Sequence, residues 1–409
     1  MEKKKLAEML FSILFLAFLF LVMFAIVFLP RSDTSYFENR ALAPRPTLSA
    51  ETILDGSFFK QVDDWLADHT GGRNYLLKGE TLFRLFFNVK VLDCPVVNET
   101  VVLDDLLLPY NEYETVDPNY VDTYARKHAE NINDARKIVE GYGGQYLFVM
   151  VPCQNVFFAD RYPSYLNNRR EFMQTAEPAL MDVLAELGVD ALDMGDVLQR
   201  PENRDLVASR VDNHYSIYGA YLTYLEIMRV INGEREEPLE VLGEGDYTLT
   251  ELPNHYMGSR TRKLFDLSDV REKLDILTPN QPVPFHRYYY GSEVAPEVYS
   301  LPATDTENID YGLYMGGDYM DADTLVDTGR EELPSILIYG DSFSNAVECI
   351  IYYSFGKMYS IDLRYYADLT LREYLETYQP DYVVCIRDYE QSINPTFNGG
   401  SVDAYGGGA

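Results

Sequence analysis

The chain has 409 residues, 47% hydrophobic and 24% charged, which is material for one large folded domain or two ordinary ones. Its 65 acidic residues outweigh 34 basic ones, and the net charge of −31 excludes nucleic acid, because phosphate binding needs a basic face. The same balance makes a polyanionic substrate a poor match and suits neutral or basic glycans better.

Lys3, Lys4 and Lys5 precede an apolar run from Met9 to Leu29, closed by Pro30 and Arg31. At about 1.5 Å per residue, such a run crosses a bilayer core of roughly 30 Å. It is longer than a secretory h-region and ends "AIVFLPRSD", without a small-x-small cleavage site, so residues 1–30 read as an uncleaved signal anchor. Lysines ahead of the span favour a cytoplasmic N-terminus and a single-pass protein of the cell membrane, its remaining chain extracellular.

Residues 31–118 read as a juxtamembrane arm, "SYFENRALAPRP", followed by helical patterns at 50–66 and 75–87 and an acidic connector. Residues 119–232 begin an α/β pattern. Val121, Ala125, His128, Ile132, Ala135 and Val139 keep a helical period, "YLFVMVP" (146–152) is a buried strand, and helices follow near 172–187 and 217–231. Residues 233–332 interrupt this rhythm with Tyr, Pro, Gly and Asp, and read as a β-rich insertion. Alternation resumes over 333–395, with strands at 335–340, 358–363 and 381–386 and a helix near 369–377. The glycine-rich end, 396–409, reads as disordered. Apolar strands separated by helices imply a parallel sheet covered on both faces, a three-layer α/β/α fold.

Cys349 and Cys385 lie in apolar runs and read as small buried hydrophobes, while Cys94 and Cys153 stand alone. No Cys/His cluster has metal-ligand spacing, and no cofactor is expected.

In a parallel sheet, reactive groups gather beyond the carboxyl ends of the strands. "SILIYGDSFSN" (335–345) places Ser342 there, between a strand and a helix whose amides could stabilise an oxyanion. Of the five histidines, His128 fits a helical stripe, His69 belongs to the membrane-proximal part, and His255 and His286 fall in the insertion. His214, in "VDNHYSIYGAY", follows Asp212 by two residues and precedes a helix, a spacing that lets the carboxylate orient the imidazole. The plainer alternatives are that Asp212 or Ser216 caps that helix and that Gly-Asp-Ser is an inert turn.

Gly340-Asp341-Ser342-Phe343 resembles the nucleophile block of SGNH hydrolases, and an Asp/His block ahead of it resembles the permuted order of the AlgX and AlgJ alginate-acetylation proteins and the DHHW family. "YFENRALAPRP", "DHTGGRN", "MVPCQNVFFADRYP", "YMGGD" and "IDLRYY" also resemble pieces of that family in order. The name-giving Asp-His-His-Trp reads Asp212-Asn213-His214-Tyr215 here. The resemblance implies an SGNH-hydrolase-like domain and a Ser342–His214–Asp212 triad. It implies a membrane-anchored O-acetyltransferase acting on a cell-surface polysaccharide, with acetyl groups supplied through a membrane-bound O-acyltransferase. An acetylesterase with the same triad and a non-catalytic glycan-binding or assembly protein are the alternatives. Asn345, Arg364 and Tyr215 are the further candidates for oxyanion or substrate binding.

Overall fold

The computed structural model describes residues 2–29, 32–38, 40–91, 94–110, 116–166, 169–315 and 321–407. Within "YMGGD", residues 316–318 lie outside them. The chain divides into two compact units: residues 1–100 with 261–268, and residues 101–260 with 269–409.

In the first unit, α1 (Glu2–Phe28) carries a 21-residue stretch of mean hydropathy 2.5, Lys4–Phe24, long and apolar enough to cross a membrane. The helical pattern at 50–66 breaks at Asp55 and Gly56 into a short turn of helix and α2 (Ser57–His69); α3 is Arg73–Phe86. The two family-like segments of this unit interlock through charge. Arg40 forks onto Asp68 at 2.6 and 2.8 Å, and Arg73 forks onto Glu38 at 2.5 and 3.0 Å. Asp68 also accepts the Ala43 amide at 2.8 Å. Two planar guanidinium–carboxylate pairs thus tie the arm to α2 and α3, a geometry lysine could not reproduce.

The second unit holds an eight-stranded sheet. Its strands are β1 (Gln145–Val151), β2 (Ala191–Asp193), β3 (His286–Tyr289), β4 (Ser292–Val294), β5 (Thr324–Asp327), β6 (Ser335–Gly340), β7 (Lys357–Ile361) and β8 (Tyr382–Asp388). Their order is β4-β3-β5-β7-β6-β8-β1-β2. The pairs from β7 to β2 are parallel, and β5, β3 and β4 extend the sheet antiparallel. The insertion therefore completes one edge of the main sheet as well as forming a separate excursion.

The central strands are apolar throughout because both faces are covered. All seven residues of β8 are buried, and Tyr146 of β1 and Tyr339 of β6 satisfy each other's hydroxyls at 2.6 Å inside the core. Helices α4 (Pro118–Gly141), α5 (Arg170–Leu187) and α8 (Leu371–Tyr378) pack together, while α6 (Ile217–Gly233) packs with α7 (Ser344–Ile351). His128 on α4 is a core histidine. Its Nδ1 faces the Ser392 carbonyl at 2.9 Å and its Nε2 faces Arg387 at 3.1 Å, and burial pushes its pKa down to about 3. Cys153, Cys349 and Cys385 are buried and form no disulfide among the described residues.

The tail departs from the expectation of disorder. Asn398 is buried and bonds the Gly340 carbonyl (2.6 Å), the Asp362 carboxylate (2.8 Å) and the Leu363 amide (2.8 Å). Val402 is 2% exposed. Low complexity misleads here because the glycines serve close packing: a side chain on Gly406 would strike the Leu363 and Tyr366 carbonyls.

Candidate active site

Strand β6 runs through the sheet centre and ends at Gly340, where a Cβ would collide with the Ile386 carbonyl of β8. Asp341, 4% exposed, folds the turn that follows. Its carboxylate accepts the Phe343 amide at 3.0 Å and, across to β8, the Asp388 amide at 3.0 Å. This Asx turn sets Ser342 directly ahead of α7. Burial, reinforced by the charge of Asp341, pushes the Asp388 carboxyl well above the usual range.

The second half of the site is a tight loop between residues 208 and 215, closed by a bridge between them. The Ser209 hydroxyl accepts the Val211 and Asp212 amides at 3.2 and 3.0 Å and donates to Glu272 at 2.6 Å. Gly258 lets a neighbouring segment approach so closely that a Cβ there would strike the Val211 carbonyl. That approach delivers the Ser259 amide to Asp212 Oδ2 at 2.5 Å. The helix-capping alternative resolves onto Ser216, whose hydroxyl accepts the Gly219 amide at 3.2 Å, leaving Asp212 for the imidazole.

The structure brings the three sequence candidates into one line. Ser342 Oγ lies 2.7 Å from His214 Nε2, and His214 Nδ1 lies 2.6 Å from Asp212 Oδ1. With Asp212 ionised, Nδ1 carries the proton and Nε2 offers its lone pair to the serine. Burial alone would raise the Asp212 pKa, but the charge and hydrogen bonds of His214, with the Ser259 amide, hold it well below the usual carboxylate range. The carboxylate is 2% exposed and the imidazole 16%, so the ring keeps an opening to solvent while its partner is dry.

Sequence reasoning missed two contributors. The Tyr311 ring stacks on His214 with centroids 3.7 Å apart and planes at 8°, fixing the imidazole from its face. Glu272 underlies the loop, accepting Ser209 Oγ and the Arg210 amide at 2.9 Å, and burial pushes its carboxyl up to about 7. Both come from the insertion, and neither sits in a motif that marks it.

The secondary candidates fare differently. Tyr215 is buried, donates to the Phe343 carbonyl at 2.8 Å and stacks on the Phe343 ring, so it buttresses the turn that carries Ser342 and does not open to solvent. Arg364 is clamped on Asp362 by bonds of 2.6 to 3.1 Å, an internal ion pair next to the Asn398 bridge. Asn345 lies in the first turn of α7, its carbonyl accepting the Cys349 thiol at 3.3 Å.

Residues 110–294 match the family model for the SGNH hydrolase-like domain of acetyltransferase AlgX. No curated protein matches the sequence. Among solved structures, Bacillus cereus PatB1, alone and with a sulfonyl adduct, superposes with a TM-score of 0.60 at 21% and 20% identity. The alignment covers 72% of this chain and 96% and 95% of PatB1. A DHHW family protein from Eubacterium siraeum superposes with a TM-score of 0.54 at 16% identity, covering 74% of this chain and 94% of that one. The O-acetyltransferase domain of Pseudomonas putida AlgJ gives 0.46 at 12% identity, over 72% and 92%. By its matched segment the chain is similar to the SGNH hydrolase-like domain of AlgX, and it shares its fold with PatB1 and the DHHW family protein.

Proposed function

We propose that the protein is a membrane-anchored O-acetyltransferase that esterifies hydroxyl groups of a polysaccharide outside the cytoplasm. The observation that carries this reading is the hydrogen-bonded line from Ser342 through His214 to Asp212 at the carboxyl end of β6. The match to the domain of acetyltransferase AlgX supports the choice of acyl chemistry, and α1 supports attachment to a membrane.

In this reading Ser342 Oγ attacks the carbonyl carbon of a donor ester while His214 Nε2 takes its proton. Negative charge moves onto the former carbonyl oxygen. The Ser342 amide, which has no hydrogen-bond partner among the described residues, meets that oxygen; Asn345 is assigned as a second donor from its position in the first turn of α7. The tetrahedral species collapses, the donor C–O bond breaks, and His214 returns the proton to the leaving oxygen. A sugar hydroxyl then repeats these steps in reverse order on the acetyl-serine, with His214 again as base. Asp212 stabilises the imidazolium formed in each half, and its dry setting keeps that interaction strong.

The test is turnover of p-nitrophenyl acetate by the detergent-solubilised full chain, with and without an oligosaccharide. Acetylated oligosaccharide that depends on Ser342 is the expected outcome. Release of acetate indifferent to the acceptor would assign an esterase, and no turnover of either kind would remove the catalytic reading.

A further inference from the structure

In the first unit, α3 presents an apolar face that the described residues leave exposed. Tyr75, Leu76, Leu82, Phe83, Phe86 and Phe87 are each between 56% and 83% exposed. With Gly79 between them they recur at three- and four-residue spacing, so they form one stripe along the helix rather than scattered surface apolar residues. The one fully buried residue of the helix is Thr81, on another side. Six large side chains in contiguous exposure on a helix of this length mark a surface that meets something other than water.

What it meets is indicated by where α3 begins. The Leu29 side chain, at the exit of α1, rests 3.4 Å from the position a Cβ would take on Gly72, the residue that precedes α3. The residue just past α1 and the residue just before α3 therefore lie side by side. The sequence of α3, RNYLLKGETLFRLF, holds three basic residues and one acidic one in a chain of net charge −31. Aromatic and leucine side chains on one face, basic residues elsewhere, and a helix adjoining a membrane span are the features of a helix that lies in the headgroup region of a bilayer.

We infer that α3 is an interfacial helix that lies in the surface of the membrane crossed by α1, burying its stripe at the boundary of headgroups and acyl chains. This rests on the reading of α1 as a membrane span. The consequence is that the first unit is held at the bilayer by two elements, one across it and one along it, which removes the free rotation that a single span would leave.

The test uses the full chain, whose one tryptophan, Trp65, is first replaced by phenylalanine. Phe86→Trp places a reporter in the stripe, Phe83→Trp provides an independent second position, and Phe18→Trp reports on α1. Each variant is reconstituted into phosphatidylcholine–phosphatidylglycerol vesicles with and without acyl-chain-brominated lipid. The inference expects blue-shifted emission from both α3 reporters and roughly a twofold loss of it with brominated lipid. Quenching of the α1 reporter without quenching of either α3 reporter would overturn the inference while α1 remains a span; water or a protein surface would then cover the stripe. An unquenched α1 reporter would overturn the span and the inference together.

Discussion

Asp212 gains its role from three contacts that the sequence spacing only allows. Its side chain takes His214 on one oxygen and the Ser259 amide on the other, and its own amide is held by Ser209. Asp212→Asn preserves this packing but favours the wrong imidazole tautomer, so kcat with p-nitrophenyl acetate is expected to fall by roughly 10³–10⁴-fold with little change in KM. Tyr311 acts on the same ring from its face. Its hydroxyl is buried without a partner among the described residues, so Tyr311→Phe should keep activity and raise stability by about 1 kcal/mol in urea unfolding. Tyr311→Ala should lower kcat, by roughly tenfold, because the imidazole loses one wall. At this scale the sequence was informative where both partners lie within a few residues, as in Asp212–His214 and Gly340–Ser342. It was silent on Tyr311, because a tyrosine among 34 becomes a wall of the site only when the insertion folds back across a hundred residues.

The loop under the triad is where pH enters. Glu272 sits on Ser209 and the Arg210 amide, and burial, with the Asp212 charge adding to it, raises its pKa from 4.5 to about 7. A carboxyl whose pKa is higher folded than unfolded stabilises the protein fully below the unfolded value, and that contribution is lost as pH rises through the folded value. Stability is therefore expected to decline by up to roughly 3 kcal/mol between pH 4.5 and pH 7 on account of this group. Glu272→Gln should remove that share of the slope, which urea titrations at fixed pH values would show; an unchanged slope would deny the residue its buried, ionising role. The strands of the parallel sheet were legible because burial on both faces leaves unbroken apolar runs. The strands β3, β4 and β5 were not legible as parts of that sheet, because three or four residues with mixed burial carry no period long enough to read.

Across the whole molecule, the parts that build the site come from distant stretches of chain. The turn that carries Ser342 is held by the tail, through Asn398 on the Gly340 carbonyl and the Leu363 amide. Asn398→Ala leaves both backbone groups without this partner and is expected to cost about 1–3 kcal/mol, with a parallel fall in kcat. The tail was misread because glycine content speaks to chain entropy, whereas its order comes from a few buried contacts such as Val402 and Asn398. The arm segments are a converse case: their motifs were visible, but their function in pairing Glu38 with Arg73 and Arg40 with Asp68 needed the fold.

The central claim is that Ser342 becomes a nucleophile because His214 removes its proton, and capture of the acyl-enzyme tests it most directly. The full chain is mixed with p-nitrophenyl acetate, quenched in acid and digested, and the peptides are weighed. The account predicts one added acetyl group on the peptide containing Ser342, absent from Ser342→Ala and strongly reduced in His214→Ala. Acetyl on another residue in its place, or equal labelling of Ser342 without the histidine, would contradict it.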